Sequence, residues 1–270
     1  MTFPFADVSA SPVDSLLSLA GRRALVTGGG RGLGKAIAVR LAEAGAAVAV
    51  ADIDEGLAGA AASDIAGRFD RSVVGVRMDV TDAESVRSAA AEAVGELDIW
   101  VNNAGVFPSI PVLETQDDAW EQVFAVNARG VFNGSREAAR RMASAGSGVI
   151  VNIVSTAGFE GTAPGLSAYV GSKHAVRGMT KQMALEFAPL GIRVLGVAPT
   201  FVPTEGNMAA AAAAMEAAGV DPAEMPVMSQ SLIGRLGTPD DIARVVLFCA
   251  SDMSMIMTGS TLLADAGQTI

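Results

Sequence analysis

The stretch that decides the fold spans residues 24–34 and reads ALVTGGGRGLG. Its first three residues are apolar and predict a buried strand, while Leu33, Ile37 and Leu41 form a helical stripe directly after the glycines. A strand, a glycine turn and a helix amino terminus make an anion site, because the backbone can approach a pyrophosphate closely there. The stretch therefore predicts a dinucleotide site that includes Gly28, Arg31, Gly32, Leu33 and Gly34.

Six further apolar runs alternate with helical patterns along the chain. This alternation is typical of a parallel sheet, because parallel strands need a crossover helix to connect them. We therefore expect an α/β chain with a doubly wound Rossmann fold, in which a seven-stranded parallel sheet carries helices on both faces. The predicted strands cover residues 24–26, 46–51, 73–76, 99–101, 149–154, 194–198 and 262–264.

The chain length suits one large catalytic domain better than two small ones. We expect a single Rossmann-type dinucleotide-binding domain over residues 21–270, preceded by an amino-terminal arm over residues 1–20. A substrate lid is expected over about 201–231, where methionines suit adaptable apolar contacts but are equally typical of a core or a subunit contact. A capping box is predicted from Thr81 to Glu84, and Thr238 is expected to cap a later helix with Pro239 in its first turn and Asp241 at its third position.

Composition excludes several classes of function. Nineteen basic residues against 29 acidic ones give a net charge of -10, which disfavours nucleic acid and anionic membranes as partners. Cys249 is the only cysteine and His174 the only histidine, so neither an intrachain disulfide nor a metal site is expected. The first residues lack the basic start of a secretory signal, and we expect a cytoplasmic protein.

The candidate for acid/base chemistry is Tyr169, the only tyrosine, which lies four positions before Lys173. On a helix, this spacing places both side chains on one face, where an ammonium group favours the phenolate that exchanges protons with an alcohol. Ser155 ends an apolar run and is expected to project its hydroxyl toward the same point. An amphipathic helix with a surface lysine gives the same spacing, so the catalytic interpretation depends on the other motifs.

Asp52 ends the second predicted strand, where a carboxylate accepts hydrogen bonds from ribose hydroxyls and repels a 2'-phosphate. Arg31 favours the opposite choice, because a guanidinium group attracts a 2'-phosphate. We expect NAD as the cofactor, with NADP as the alternative. Asp54 is expected to cap a helix, and Asp79 with Val80 either flanks the adenine or forms the turn before the next helix.

Together these motifs resemble the short-chain dehydrogenase/reductase family, and the resemblance covers about residues 19–267. It implies that Asn127, Ser155, Tyr169 and Lys173 form a catalytic tetrad. Tyr169 would be the general acid/base, and Lys173 would lower its pKa and hold the nicotinamide ribose. Ser155 would donate a hydrogen bond to the substrate oxygen, and Asn127 would anchor a water. Further cofactor contacts implied by the family, besides Tyr169 and Lys173, are Asn103, Ala104, Gly105, Pro199, Val202 and Thr204.

The resemblance implies an NAD(P)-dependent oxidoreductase that transfers a hydride between nicotinamide C4 and a secondary alcohol or ketone. A sugar or polyol dehydrogenase, a 3-oxoacyl-thioester reductase, a dehydratase or epimerase, and a non-catalytic dinucleotide-binding regulator remain alternatives. Thr200 departs from the family's usual glycine beside the nicotinamide. Candidate contacts to the small-molecule substrate are Phe107, Ser155, Phe159, Glu160, Phe201 and Met208.

A homotetramer is expected from the apolar surface of two helices, the one that bears Tyr169 and the one around Asn127. Family members commonly pair these two helices across a two-fold axis, and the last strand can add a second contact. The alternative is that the same residues belong to the core of a single chain. The residues in question are Val123, Phe124, Val131, Val170, Ala175, Val176, Met179, Met183 and Phe187.

Overall fold

A computed structural model describes residues 5–94, 96–208 and 231–270 of the protein. Its sheet contains seven parallel strands in the order β3-β2-β1-β4-β5-β6-β7, which confirms the predicted fold. Each predicted run lies within or beside a strand. The strands are β1 (Arg23–Thr27), β2 (Ala47–Asp52), β3 (Val73–Arg77), β4 (Ile99–Asn102), β5 (Gly148–Ile153), β6 (Ile192–Pro199) and β7 (Thr261–Ala264).

Helices cover both faces of the sheet. The helices are α1 (Val13–Leu17), α2 (Gly32–Glu43), α3 (Glu55–Phe69), α4 (Ala83–Val94), α5 (Asp117–Phe124), α6 (Gly130–Ala145), α7 (Ser167–Phe187) and α8 (Pro239–Ala250). Side chains of α2, α3 and α8 share one apolar core with one face, and those of α4, α6 and α7 share another with the opposite face. The strand order reverses beside β1, so a crevice opens at the carboxyl ends of β1 and β4.

The sixth strand starts two residues earlier than predicted because a buried arginine is accommodated within it. Arg193 is 3% exposed, and its guanidinium donates to the carbonyl oxygens of Cys249, Ser251 and Ser254 at 3.1–3.2 Å. These carbonyls lie at and just beyond the end of α8, where helix carbonyls lack partners. Burial lowers the pKa of Arg193 to about 10.

The predicted capping box from Thr81 to Glu84 is wrong. Glu84 N donates to Asp82 Oδ1 at 2.9 Å, while the Thr81 hydroxyl donates to Asp79, so α4 is capped one residue later than expected. The cap predicted at Thr238 is confirmed, and it is a full capping box, because Thr238 and Asp241 exchange side-chain to backbone hydrogen bonds at the start of α8. Asp54 also caps α3 as expected, accepting from Leu57 N at 3.0 Å.

Several residues expected at a subunit contact lie in the chain's own core. The buried ones are Val123, Val131, Val176 and Met183, each at most 7% exposed. Most of the predicted lid, residues 209–230 with Met215, Met225 and Met228, lies outside the described residues. In the arm, α1 buries no residue, while Leu19 beyond it is fully buried. Among the described helices, none combines the length and apolarity that a membrane crossing requires.

Candidate active site

The glycine turn after β1 leaves room for a ligand only because it lacks side chains. Gly28 has φ +60°, and a Cβ there would lie 2.9 Å from Ala104 Cα, two residues beyond the end of β4. A Cβ at Gly34 would overlap the carbonyl oxygen of Gly28. Because α2 starts within this turn, its first amide groups are available to an anion, and the cradle fits the pyrophosphate of a dinucleotide.

The turn is fastened to the end of β4 by polar groups. Asn103 Nδ2 donates to the carbonyl oxygens of Thr27 and Gly28, both at 3.0 Å. In return, Thr27 Oγ1 accepts from the backbone amides of Asn103 at 3.0 Å and Ala104 at 3.1 Å. Leu33 packs against the core on the helix side. Asn103 and Ala104 therefore lie at the turn, as expected, and act there as structural supports.

Asp52 lies at the side of the crevice where the sequence predicts the adenosine ribose. Its Oδ2 accepts from Gly30 N at 3.0 Å, and its Oδ1 accepts from Asp54 N at 3.2 Å. These bonds hold the carboxylate against the glycine turn, where it retains acceptor capacity. Asp79 Oδ1 is occupied by the amide and hydroxyl of Thr81, which supports the interpretation that Asp79 belongs to a turn.

Val80, the other candidate on this side, is held by a residue that the sequence did not single out. Asn133 of α6 is buried and donates to Val80 O at 3.0 Å. Gly130 permits close contact, since a Cβ there would lie 2.8 Å from Val80 Cγ2. The α6 helix thereby fixes the segment after β3 that the sequence assigns to the cofactor site.

The segment after β6 reaches back to the glycine turn. Pro199 ends β6, Val202 is buried in the core, and the Thr204 Cβ would lie 3.4 Å from a Cβ at Gly32. Asn207, which sequence reasoning missed, shapes this segment. Its side chain accepts from Thr204 N at 2.6 Å and donates to Val202 O.

Two further contacts involve this segment. The Arg31 Cζ lies 4.0 Å from the position that a Gly206 Cβ would occupy, so the guanidinium lies beside the segment. Thr200, which departs from the family's glycine, donates its hydroxyl hydrogen to Gln268 Oε1 near the carboxyl terminus. The departure thus adds a side-chain contact between the end of β6 and the carboxyl-terminal loop.

Tyr169 and Lys173 both lie on α7, as predicted. Lys173 is 5% exposed, and its Nζ donates to Ile153 O at 2.8 Å and lies 5.6 Å from the Tyr169 ring centroid. Ser155 follows β5, its hydroxyl oxygen accepts from Ala157 N at 3.1 Å, and it lies close enough to the phenol to oppose the rise that burial causes in the pKa of Tyr169. The three side chains that the sequence proposed for proton transfer are therefore neighbours.

The electrostatics of the phenol differ from the expectation. Burial raises the pKa of Tyr169 above its ordinary value of 10.0, and the hydrogen bond with Ser155 opposes part of that rise. Burial also lowers the pKa of Lys173 to about 8, because the ammonium loses water without gaining a carboxylate. In the protein without cofactor, Ser155 rather than Lys173 is the neighbour that favours the phenolate.

Asn127 occupies a π-helical turn, Ala125–Arg129, between α5 and α6. Its fully buried amide accepts from Val106 N and donates to Val106 O, both at 2.8 Å. It also donates to Ser172 Oγ at 3.1 Å, and Ser172 donates to Tyr169 O at 2.7 Å. Asn127 therefore connects the loop after β4 with the backbone of the catalytic helix.

Gly105 marks the point where these parts meet. A Cβ there would lie 3.3 Å from Asn127 Oδ1 and 3.9 Å from Lys173 Nζ. Beneath this point runs a buried polar network that the sequence did not reveal. Asn102 accepts from Trp100 Nε1 at 2.7 Å and donates to Ser135 at 2.9 Å and to Asn152 at 2.8 Å, and Asn152 donates to Thr180 at 3.0 Å. Sequence signals for this network are absent, because its members lie far apart in the chain.

The substrate candidates separate into different environments. Phe107 lies edge-on to Tyr169 with ring centroids 6.0 Å apart and is 47% exposed, so it forms a wall beside the phenol. Phe159 instead packs against a buried apolar cluster, with the Arg177 guanidinium 3.8 Å from its ring centroid. Glu160 and Met208 are exposed and Phe201 is half-buried. Among the described residues, no cluster of three or more His, Cys, Asp or Glu suits a metal ion.

Comparison with known proteins agrees with this geometry. The family model described as enoyl-(acyl carrier protein) reductase matches residues 28–269. Galactitol 2-dehydrogenase (L-tagatose-forming) of Cereibacter sphaeroides is 36% identical over 95% of this chain and 98% of its own length. A short-chain type dehydrogenase/reductase from Mycobacterium marinum has a TM-score of 0.86 and 34% identity, covering 96% of this chain and 99% of the other.

A third relative carries a bound cofactor. The crystal structure of a gluconate 5-dehydrogenase from Burkholderia cenocepacia in complex with NADP and tartrate has a TM-score of 0.86 and is 36% identical, covering 96% of this chain and 99% of that one. The chain belongs to the short-chain dehydrogenase/reductase family. It is an NAD(P)-dependent oxidoreductase of the class that acts on alcohols and ketones.

Proposed function

We propose that the protein is an NAD-dependent dehydrogenase or ketoreductase of secondary alcohols, with Tyr169 as the general acid/base. The observation that carries this proposal is the convergence of Tyr169, Ser155 and Lys173 beside Gly105, at the crevice where the glycine turn begins. The phenol would take a proton from the alcohol in oxidation and return it to the carbonyl oxygen in reduction. Ser155 would hold that oxygen and stabilise developing alkoxide.

The remaining groups position the reactants. A nicotinamide dinucleotide in the glycine cradle would supply or accept the hydride. Lys173 would bind the nicotinamide ribose, and its ammonium would offset negative charge on the phenolate. Asn127 would hold the loop that begins at Val106, and thereby one wall of the site, with the two hydrogen bonds it makes to that residue.

The choice of NAD rests on Asp52. Its carboxylate is fixed against Gly30 and Asp54, where a 2'-phosphate would meet a like charge. Arg31 lies beside Gly206 and so toward the segment after β6. NADP in the Burkholderia cenocepacia relative supports the opposite preference. The dissociation constants of NAD and NADP test this choice. We expect NAD to bind more tightly, and Asp52→Ala to reduce the ratio of the two dissociation constants about tenfold. Tighter binding of NADP by the unmodified protein would contradict the choice.

A panel of secondary alcohols tests the activity itself. The protein is incubated with NAD or NADP at alkaline pH, and absorbance of reduced cofactor is followed across sugars, polyols, cyclic alcohols, aryl carbinols and 3-hydroxyacyl thioesters. Turnover of one class supports a dehydrogenase. Cofactor binding without turnover of any class would favour a dinucleotide-binding regulator.

We also propose a cytoplasmic homotetramer built from one catalytic domain per chain over residues 21–270. Large apolar side chains remain exposed on the expected interface helices, namely Trp120 at 40% on α5, Phe132 at 43% on α6 and Leu185 at 73% on α7. Leu263, at 44%, adds apolar surface on the last strand. Light scattering tests the assembly: a mass four times the 27.3 kDa of one chain is expected, and a mass of 27.3 kDa would contradict it.

A further inference from the structure

The charge of the segments around the reacting groups limits what the site can accept. Three described segments follow the strands whose ends surround Tyr169, covering residues 105–116, 155–166 and 201–208. None of the three contains a lysine, arginine or histidine. Their charged residues are all acidic, namely Glu114, Glu160 and Glu205.

The cations that approach these segments already have other partners or another position. Lys173 donates to Ile153 O at 2.8 Å, and Arg177 lies on the Phe159 ring and donates to Gly158 O at 3.4 Å. Arg31, at the amino terminus of α2, lies with its guanidinium beside Gly206 of the third segment, and we expect it to meet the pyrophosphate there. An anionic group on a substrate would lose water beside Tyr169 without gaining an ion pair, which is costly.

The surface beside the phenol is apolar as well as uncharged. Phe107 is 47% exposed and lies edge-on to Tyr169, in a loop that also exposes Val112 and Leu113. This wall is rigid near the phenol, since Asn127 holds Val106 with two hydrogen bonds. It joins the second segment through Ile110 N, which donates to Gly165 O at 2.9 Å. A hydroxyl-rich substrate would find few partners on such a wall.

We infer that the substrate class of this site is a neutral, predominantly apolar secondary alcohol or ketone with a ring or bulky alkyl group, rather than a hydroxy acid, an aldonate or a polyol. The inference rests on the proposed dehydrogenase function. The ring or alkyl group would pack on Phe107 while the hydroxyl reaches Tyr169 and Ser155. The acidic segments would turn away carboxylates and phosphates by repulsion, which is a form of specificity against the wrong substrate.

A matched pair of substrates tests the charge argument. The values of kcat/KM are measured for methyl cis-4-hydroxycyclohexanecarboxylate and for the corresponding free acid, which share one ring and differ in one charge. The ester is expected to be preferred about 100-fold, because the acid brings an unpaired anion into the site. The kcat/KM for cyclohexanol should exceed that for galactitol by a similar factor. A kcat/KM for the free acid equal to that for the ester, or a kcat/KM for galactitol above that for cyclohexanol, would overturn the inference while leaving the dehydrogenase function intact.

Two pairs of variants locate the effect. Glu160→Arg should narrow the ester-to-acid ratio about tenfold, whereas Glu92→Arg, on the exposed surface of α4, should leave the ratio unchanged. Phe107→Ala should raise KM for cyclohexanol about tenfold, and Phe107→Leu should restore most of the loss. The ester-to-acid ratio of kcat/KM does not depend on the fraction of active protein, so a general loss of active protein leaves it unchanged. A preference for trans-4-aminocyclohexanol over the ester would show a cation site instead, and no turnover of any alcohol would overturn the proposed function together with this inference.

Discussion

The two ends of the crevice are built in different ways. The proposed nucleotide end, comprising the glycine turn at residues 27–34 with Asp52, depends on backbone shape and on missing side chains. The proposed catalytic end, comprising Asn127, Ser155, Tyr169 and Lys173, depends on side chains from three separate elements of the chain. Its members are held by buried polar groups, among them Asn127 itself, Ser172 and the network around Asn102. One end is thus encoded locally, and the other only by the complete fold.

The largest expected effect concerns the nucleotide end. Gly34→Ala should weaken dinucleotide binding about 100-fold, or ~2.8 kcal/mol, because the new Cβ would overlap the Gly28 carbonyl oxygen. Calorimetric titration with NAD measures the effect. Gly59→Ala on α3 is the matched control, since its Cβ would meet no atom within 4 Å and binding should not change. Unaltered binding in Gly34→Ala would show that the turn is not the cofactor cradle.

A crossed pair of asparagine variants should separate the two ends. Asn127→Leu removes the bonds to Val106 and Ser172 and should lower kcat about tenfold, with little effect on cofactor binding. Asn133→Leu removes the bond to Val80 O on the adenosine side and should weaken cofactor binding about threefold, with little effect on kcat. Both residues are buried, so thermal melting serves as a common control. Equal effects of both variants on both quantities would mean that the two ends are not separable.

The smallest effect concerns the phenol's titration. Tyr169 is the only tyrosine, so tyrosinate absorbance reports this residue alone. In the protein without cofactor, we expect titration above pH 10, because burial raises the pKa, and near pH 10 in the urea-unfolded chain. Ser155→Ala should move the folded-state midpoint further upward, since the hydrogen bond that opposes the rise is lost. A folded midpoint below that of the unfolded chain would show that Lys173 dominates instead.

Sequence reasoning succeeded where the signal is local. The glycine turn, the seven strands and the i, i+4 pair of Tyr169 and Lys173 each occupy one continuous stretch, and the structure places each where it was expected. Arg193 shows a limit, because a charged residue argues against a strand until the carbonyls at the end of α8 are known to receive it. The cap of α4 was also predicted at the wrong residue, because Asp82, next to Thr81, accepts the hydrogen bond from Glu84 N.

The features of the site that could not be predicted depend on contacts between segments that are separate in the sequence. Phe159 reads as a pocket aromatic from its position after a strand, yet the fold places it on the cluster around Val176 under Arg177. Asn127 holds Val106 from a π-helical turn, and no capping or helix-breaking residue in the sequence marks that turn. The direction of the Tyr169 pKa follows from burial, which emerges only when α7 packs against its neighbours.

The measurement that most directly tests the assignment of Tyr169 is made on Tyr169→Phe, with turnover and cofactor binding determined on the same sample. The variant lacks the phenolic oxygen and keeps the ring that contacts Phe107, so the shape of the wall is retained. We predict that turnover of the best alcohol falls about 1,000-fold, as expected for loss of a general acid/base, while the NAD dissociation constant stays within about threefold. Turnover within about tenfold of the unmodified protein would contradict the assignment of proton transfer to Tyr169.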